Sequence, residues 1–212
     1  MKPAASVSIL IADDHFVVRE GLRSILRREA DFTVVGEAAN GLEAVSAHAR
    51  LRPDVTIMDL RMPVCGGVEA IQRIRAADPA ARILVLSNCE GDEDIHAALS
   101  AGAMGYLLKH SSGDQVTPAI RSLMLGKPWI PQEVADHLAS RARGEILSER
   151  ERQILTLMVL GEANKQIGSA LGITEQTVKS HVKNILAKLQ VRDRTEAVTV
   201  ALRRGIVHLP EV

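Results

Sequence analysis

Asp13 and Asp14, Asp59, Ser87 and Lys109 each close or follow a short apolar run, and together they are the residue types that phosphoryl chemistry needs. In an open parallel α/β sheet the reactive crevice lies beyond the carboxyl ends of the strands, so side chains at those ends converge. Three carboxylates at one edge repel one another and raise each other's pKa unless a hard cation neutralises them. Magnesium suits such a site because it takes oxygen ligands, needs few protein carboxylates and keeps waters for an incoming phosphoryl group. Lys109 and Ser87 then offer an ammonium and a hydroxyl to the remaining phosphoryl oxygens. A carboxylate can itself be the nucleophile, forming an aspartyl phosphate. One polar strand end is commonplace; polar residues at four of them together are not.

Those positions need a frame of alternating strands and helices, and the first half of the chain reads that way. Strands are expected at Val7–Ala12, Phe32–Glu37, Val55–Met58, Ile83–Ser87 and Gly105–Leu108. Val18, Leu22, Ile25 and Leu26 mark the first helix. Asn40, with Glu43 three residues on, caps the second, whose buried stripe is read as Leu42, Val45 and Ala49. Val68, Ile71 and Ile74 mark the third, Ile95 and Leu99 the fourth, and Val116, Ile120, Leu123 and Met124 the fifth. Five βα units make one domain over residues 1–125. Residues 126–146 read as a linker containing a short amphipathic piece, Glu133 to Ser140, and Arg141 to Glu145 carry no large apolar residue.

Residues 147–212 read as four short helices. Ser148 with Glu151 forms a capping box and Gly161 closes the first; Asn164 is expected to cap the second, closed by Gly172; Thr174 caps the third, running to about Leu189; Thr195 starts the fourth, ending at Gly205.

Composition narrows the possibilities. The chain has 212 residues, 46% of them hydrophobic, enough for a real core, which excludes disorder as the main state. With 2% aromatic residues it has no stacking platform for single-stranded nucleic acid. Two cysteines, Cys65 and Cys89, make neither a disulfide framework nor a structural zinc site. No apolar run is long enough for a signal peptide or a membrane span, so a reducing cytoplasm is the expected location. The net charge of zero hides an asymmetry: residues 1–125 carry 13 basic and 16 acidic residues, residues 126–212 carry 13 basic and 10 acidic. Lys179, Lys183, Lys188, Arg192 and Arg194 face only Asp193, a stripe that suits a polyanion as well as a solvated helix face.

A helical wheel at about 100° per residue resolves the two. With Val178 at zero, Val182, Ile185, Leu186 and Leu189 fall between about −20° and +80°, while Lys179, Lys183, Gln176 and Ser180 fall between about 100° and 200°. A short capped helix, a brief turn and a helix with a basic outer face make a helix-turn-helix, whose second helix enters the major groove of DNA.

The segments Ile11-Ala12-Asp13-Asp14-His15, Met58-Asp59-Leu60-Arg61-Met62-Pro63, Leu84-Val85-Leu86-Ser87 and Ala101-Gly102-Ala103-Met104-Gly105-Tyr106-Leu107-Leu108-Lys109 resemble the receiver domain of bacterial two-component response regulators. Leu147-Ser148-Glu149-Arg150-Glu151, Gly161, Asn164-Lys165-Gln166-Ile167, Thr177 through Ile185 and Lys188-Leu189 resemble the LuxR-type DNA-binding domain of the NarL/FixJ subfamily. The resemblance implies a doubly wound, flavodoxin-like five-stranded parallel sheet of order 2-1-3-4-5 plus a small all-α four-helix domain. It implies Asp59 as phosphoacceptor, Asp14 as a direct Mg²⁺ ligand, Asp13 as a ligand through water, and the backbone carbonyl of Arg61 completing the shell. Ser87 and Lys109 would contact the phosphoryl group, with Ser87 and Tyr106 as the switch pair. Lys179, Ser180 and Lys183 would face base edges, with Asn164, Lys165, Thr177 and His181 nearer the DNA backbone. The implied partners are a sensor histidine kinase, double-stranded operator DNA, and a second copy of the chain through the final helix; in this family the unphosphorylated receiver masks the recognition helix.

Some positions depart from the family. Cys65 and Gly66 stand where a Met and an acidic or amide residue are usual, which suggests a more mobile loop; Asn88 follows Ser87, where it would flank the phosphoryl group; Ala163 and Gly168 replace a common Ser and Ala. His15 reads as structural, since a hard magnesium site has little use for imidazole. A magnesium-dependent phosphohydrolase would place a second Asp two residues after the nucleophile, and Arg61 stands there, so the chain is expected to catalyse only its own phosphotransfer and dephosphorylation. A receiver that acts as a phosphorylation-independent interaction module is the remaining rival, and the complete acid pair, Asp59, Ser87 and Lys109 speak against it.

Overall fold

The structure is a computed structural model describing residues 6–88, 91–111, 113–142 and 146–208. Two compact units emerge, one of residues 1–89 with 95–135, the other of residues 90–94 with 136–212. No helix among the described residues is long and apolar enough to cross a membrane.

The first unit is built on a five-stranded parallel sheet of order β2-β1-β3-β4-β5, formed by β1 (Val7–Ala12), β2 (Phe32–Ala38), β3 (Val55–Met58), β4 (Ile83–Ser87) and β5 (Gly105–Leu108). The inner strands β3 and β4 are buried at every position, which is why they read as continuous apolar runs and not as alternating ones. Helices α1 (Phe16–Leu26), α2 (Gly41–Leu51), α3 (Gly67–Ala77), α4 (Asp92–Ser100) and α5 (Val116–Met124) fill the crossovers. Leu22 and Leu26 of α1 and Val116, Ala119, Ile120 and Leu123 of α5 join Ile9, Ile11, Ile57, Leu84, Leu86 and Leu107 in one core. The register places Ala12 beside Met58 and Ser87 beside Leu108, so the polar residues that follow emerge at one edge.

Helix α2 differs from the sequence reading. It buries Gly41, Ala44, Ala47 and His48, while Leu42 is exposed and the expected stripe of Leu42, Val45 and Ala49 faces outward or half outward. His48 can go inside because Nδ1 meets Thr56 Oγ1 at 3.0 Å and Nε2 meets Asp78 Oδ2 at 3.4 Å. Gly41 allows the close approach, since a Cβ there would stand 2.3 Å from the Cys65 carbonyl oxygen. Polar satisfaction and small size decided the face, against side-chain hydropathy.

The region read as linker is largely structured. Trp129 forms a parallel bridge with Gly105, its N–H donating to the Met104 carbonyl at 3.1 Å and its carbonyl accepting from Tyr106 N–H at 3.0 Å. The open edge of β5 is thereby covered. Helix α6 follows over Gln132–Ala142, longer than the amphipathic piece expected, and residues 143–145 lie outside the described residues. Cys89 lies outside them too.

The second unit contains α7 (Glu149–Val159), α8 (Asn164–Leu171), α9 (Glu175–Leu189) and α10 (Arg194–Arg203), packed around Leu147, Ile154, Leu155, Met158, Ile167, Val178, Ile185, Leu189, Ala197 and Ala201. The Ser148–Glu151 capping box and the Thr174 cap form as read. Asn164 does not cap α8: it is the first helical residue, Ala163 holds the cap position, and Gln166 accepts from Ala163 N–H at 2.7 Å. Asp193, not Thr195, starts α10, accepting from Glu196 N–H at 2.9 Å. Gly168 is needed for packing, because a Cβ would meet the Ile173 carbonyl oxygen at 2.7 Å.

Glu151 is 3% exposed and accepts from Lys188 Nζ at 2.7 Å and from Ser148 N–H at 2.7 Å. Burial alone raises its carboxyl, but Lys188 and Ser148 outweigh that and hold it below the ordinary carboxylate value. A carboxyl lowered in this way stabilises the fold above the unfolded pKa and loses that contribution as pH falls through the folded one. Lys188→Ala strands the buried carboxylate and is expected to cost about 1–3 kcal/mol at pH 7 in urea unfolding. The difference from the unsubstituted chain should shrink as pH falls through the carboxylate range, because the variant's acid, without Lys188, takes up a proton first and then needs no cation. A deficit equal at pH 7 and pH 3.5 would show that the lysine acts by packing alone.

Candidate functional site

Asp13, Asp14, His15 and Asp59 meet beyond the carboxyl ends of β1 and β3, each offering one ligand atom, all within 4.8 Å of one another. Backbone bonds fix the two carboxylates relative to each other: Asp59 N–H donates to the Ala12 carbonyl at 2.8 Å, and Asp13 N–H donates to the Ala38 carbonyl at 3.1 Å. Asp13 and Asp59 are each 2% exposed. Asp59 Oδ1 accepts from Leu60 N–H at 2.7 Å, and Asp13 Oδ1 from His15 N–H at 2.9 Å. Their other oxygens share one cation, Lys109 Nζ, at 2.6 Å from Asp59 Oδ2 and 2.7 Å from Asp13 Oδ2.

Burial raises the Asp59 carboxyl above its ordinary value, an effect reinforced by the charge of Asp13 and only partly offset by hydrogen bonds from Lys109 and Ser87. Burial likewise works against the Lys109 charge, but its bonds to Asp13 and Asp59 prevail and the ammonium is held above its ordinary pKa. A carboxylate kept basic in a dry pocket, with one ammonium beside it, is a better nucleophile than a solvated one. The same lysine was read as a phosphoryl contact; its bond to Asp13 as well as Asp59 carried no signal in the sequence.

The residues present also fit a divalent cation. Asp14 Oδ1 is buried and no hydrogen bond satisfies it, its near neighbour being His15 Nδ1 at 2.7 Å. The 4.8 Å spread is close to the span across one octahedral ion, about 4.2 Å for bonds of 2.1 Å. Asp13, Asp14 and Asp59 could hold such an ion. Arg61 lies just after Leu60, exposed, where the chain leaves β3. Ser87 ends β4 and is 1% exposed, and Tyr106 in β5 is fully buried. Asn88 is exposed beside Ser87.

The loop from β3 to α3 is tightly packed where the sequence suggested mobility. Gly67 N–H donates to the Leu60 carbonyl at 2.9 Å, and a Cβ on Gly67 would stand 2.0 Å from the Asp59 carbonyl oxygen. Cys65 is 4% exposed and accepts at its carbonyl from Gly41 N–H at 3.1 Å. Val64 absorbs the turn with φ at +68°, a left-handed conformation that a β-branched residue rarely adopts.

In the second unit Lys179, Ser180 and Lys183 are exposed on the outer face of α9, opposite the buried Val178, Ile185 and Leu189. Lys165 and Thr177 are exposed, Asn164 and His181 half-buried. The charge stripe does not survive as one surface. Lys188 is tied to Glu151, Arg192 to Glu196 at 3.2 Å, and Arg194 bonds the Glu162 carbonyl and Asn164 Oδ1 at 2.6 and 3.3 Å. Lys179 pairs with Glu175 at 2.8 Å on an exposed helix turn, a bond weak enough for an incoming anion to replace.

Comparison with known proteins bears on both units. Residues 9–121 match the response regulator receiver domain family, and residues 145–201 match the bacterial regulatory proteins of the luxR family. The response regulator protein VraR of Staphylococcus aureus is 39% identical over 207 residues, 95% of this chain and 99% of that protein. Among solved structures, the response regulator ChrA of a heme-sensing two-component system is 36% identical over 96% of this chain and all of that one, with a TM-score of 0.58. RcsB of Salmonella enterica serovar Typhimurium, solved bound to promoter DNA in the presence of the phosphomimetic BeF3⁻, is 27% identical over 92% of this chain and 97% of that one, with a TM-score of 0.73. With an acid cluster, lysine and serine at one sheet edge and an outward basic helix in a LuxR-type domain, this chain belongs to the two-component response regulators of the NarL/FixJ type.

Proposed function

We propose that the chain is a phosphorylation-switched transcription regulator in which Asp59 takes a phosphoryl group from a sensor histidine kinase. The observation that carries this reading is the Asp59 carboxylate itself, buried, kept basic, and bonded to both Lys109 and Ser87. An Asp59 oxygen attacks the phosphorus of a phosphohistidine; the P–N bond breaks, the imidazole leaves, and an acyl phosphate remains. Asp13, Asp14, Asp59 and the Arg61 carbonyl would hold Mg²⁺, which supplies charge neutralisation at the phosphoryl oxygens. Lys109 then exchanges its carboxylate partners for a phosphoryl oxygen, Ser87 donates its hydroxyl to another, and Tyr106 responds to the movement of Ser87. Arg61 stands where a phosphohydrolase of this kind would carry a second Asp as general acid, which supports self-limited phosphotransfer and dephosphorylation over turnover of an outside substrate. A free Cys65 suits the cytoplasm.

In the same reading, phosphorylation frees the second unit to dimerise through α10 on operator DNA. Lys179, Ser180 and Lys183 enter the major groove, while Asn164, Lys165, Thr177 and His181 meet the DNA backbone. RcsB dimers have been solved on DNA, which supports this assembly by similarity.

Acetyl phosphate with Mg²⁺ should add a single phosphoryl group by intact mass, a chelator should block it, and Asp59→Ala should remove it. Uptake by Asp59→Ala at the normal rate would overturn the nucleophile assignment. On DNA, Lys179→Ala should cost about 1–3 kcal/mol on the best operator and much less on random duplex, because it reads base edges. Lys165→Ala should weaken both alike and lower the salt slope by about one unit. Salt titrations on both duplexes decide it, and equal losses for Lys179→Ala would mean that this face does not read bases.

A further inference from the structure

We propose that His15 is a nitrogen ligand of the divalent-ion site, so that the acid cluster binds borderline transition ions of the Co²⁺ or Zn²⁺ class more tightly than an all-oxygen site would. The inference rests on the reading of Asp13, Asp14 and Asp59 as a metal site and adds one ligand and a selectivity to it. Adjacent donors on an octahedral ion with bonds of about 2.1 Å stand about 3.0 Å apart. His15 Nδ1 lies 2.7 Å from Asp14 Oδ1 and 3.4 Å from Asp13 Oδ1, distances that bracket that separation. The ring is 65% exposed at the mouth of the site, so it can turn without disturbing the core.

His15 Nδ1 already lies at ion-pair distance from both acids, and a bound ion would replace that pairing. The residue stands at the N-cap of α1, but its side chain makes no capping bond there. Its backbone N–H is spent on Asp13 Oδ1. Asp14 Oδ1, beside the ring, is a buried acceptor that no hydrogen bond satisfies. A hard ion gains little from imidazole, whereas ions higher in the Irving–Williams order gain substantially, so a nitrogen donor discriminates among cations that carboxylates alone treat more evenly.

The full chain, stripped with a chelator, is titrated with CoCl2 and with MgCl2 by calorimetry as the unsubstituted protein, His15→Ala and Asp14→Ala. Pulsed electron paramagnetic resonance of the Co²⁺-loaded proteins reads nitrogen coordination directly. His15→Ala should weaken Co²⁺ by about tenfold or more, leave Mg²⁺ within about twofold, and abolish the nitrogen coupling. Asp14→Ala should weaken both ions. Loss of both ions in Asp14→Ala with Co²⁺ affinity and nitrogen coupling unchanged in His15→Ala would overturn the inference and leave the metal site standing. Binding of both ions unchanged in Asp14→Ala would overturn the metal-site reading itself.

Discussion

Two carboxylates buried side by side cannot both carry charge without a cation between them, and Lys109 is that cation. Everything else in the first unit can be read as holding this arrangement. Parallel strands bring Asp13 and Asp59 to the same edge, β5 delivers Lys109 from the opposite side of β4, and Ser87 ends the strand between them. The shared ammonium couples the two acids: any new positive charge that takes Asp13 or Asp59 loosens the lysine, and any new negative group on Asp59 claims it. In the function proposed above, phosphorylation of Asp59 would place its charge change where the cation is already divided.

Much of this was legible in the sequence. The inner strands announced themselves as short apolar runs because both faces of a parallel sheet are covered, and the polar residues after them marked the edge where the acids and Lys109 meet. What stayed hidden depended on pairing across the fold. Leu42 looked like core and is solvent-facing, whereas His48 is inside, because Thr56 and Asp78 satisfy its ring from other elements. Trp129 sat among linker residues, yet its backbone finds the open edge of β5. The Cys65-Gly66-Gly67 departure suggested looseness, and the contact of Gly67 with the Asp59 carbonyl shows close packing in its place.

The second unit teaches a related lesson about charge. Net charge and clustering pointed to a basic stripe, but two of its five cations are used internally: Lys188 neutralises a buried glutamate and Arg194 ties α10 to the start of α8, while Arg192 holds an exposed pair with Glu196. Only the wheel, which sorts residues by direction and not by sign, separated Lys179 and Lys183 from the rest. Those two stand on the face of α9 opposite its buried stripe. The exposed basic face of α9 is therefore smaller and more sharply defined than composition suggested.

The central claim is that the acid cluster demands a cation and that Lys109 and a divalent ion compete to satisfy it. Thermal unfolding of the chain and of Lys109→Ala, each in chelator and in millimolar MgCl2, tests it most directly. The account predicts that Lys109→Ala is destabilised in chelator and that Mg²⁺ raises its midpoint more than that of the unsubstituted chain, since the ion meets no competing ammonium. An equal or smaller Mg²⁺ shift in the variant would contradict it.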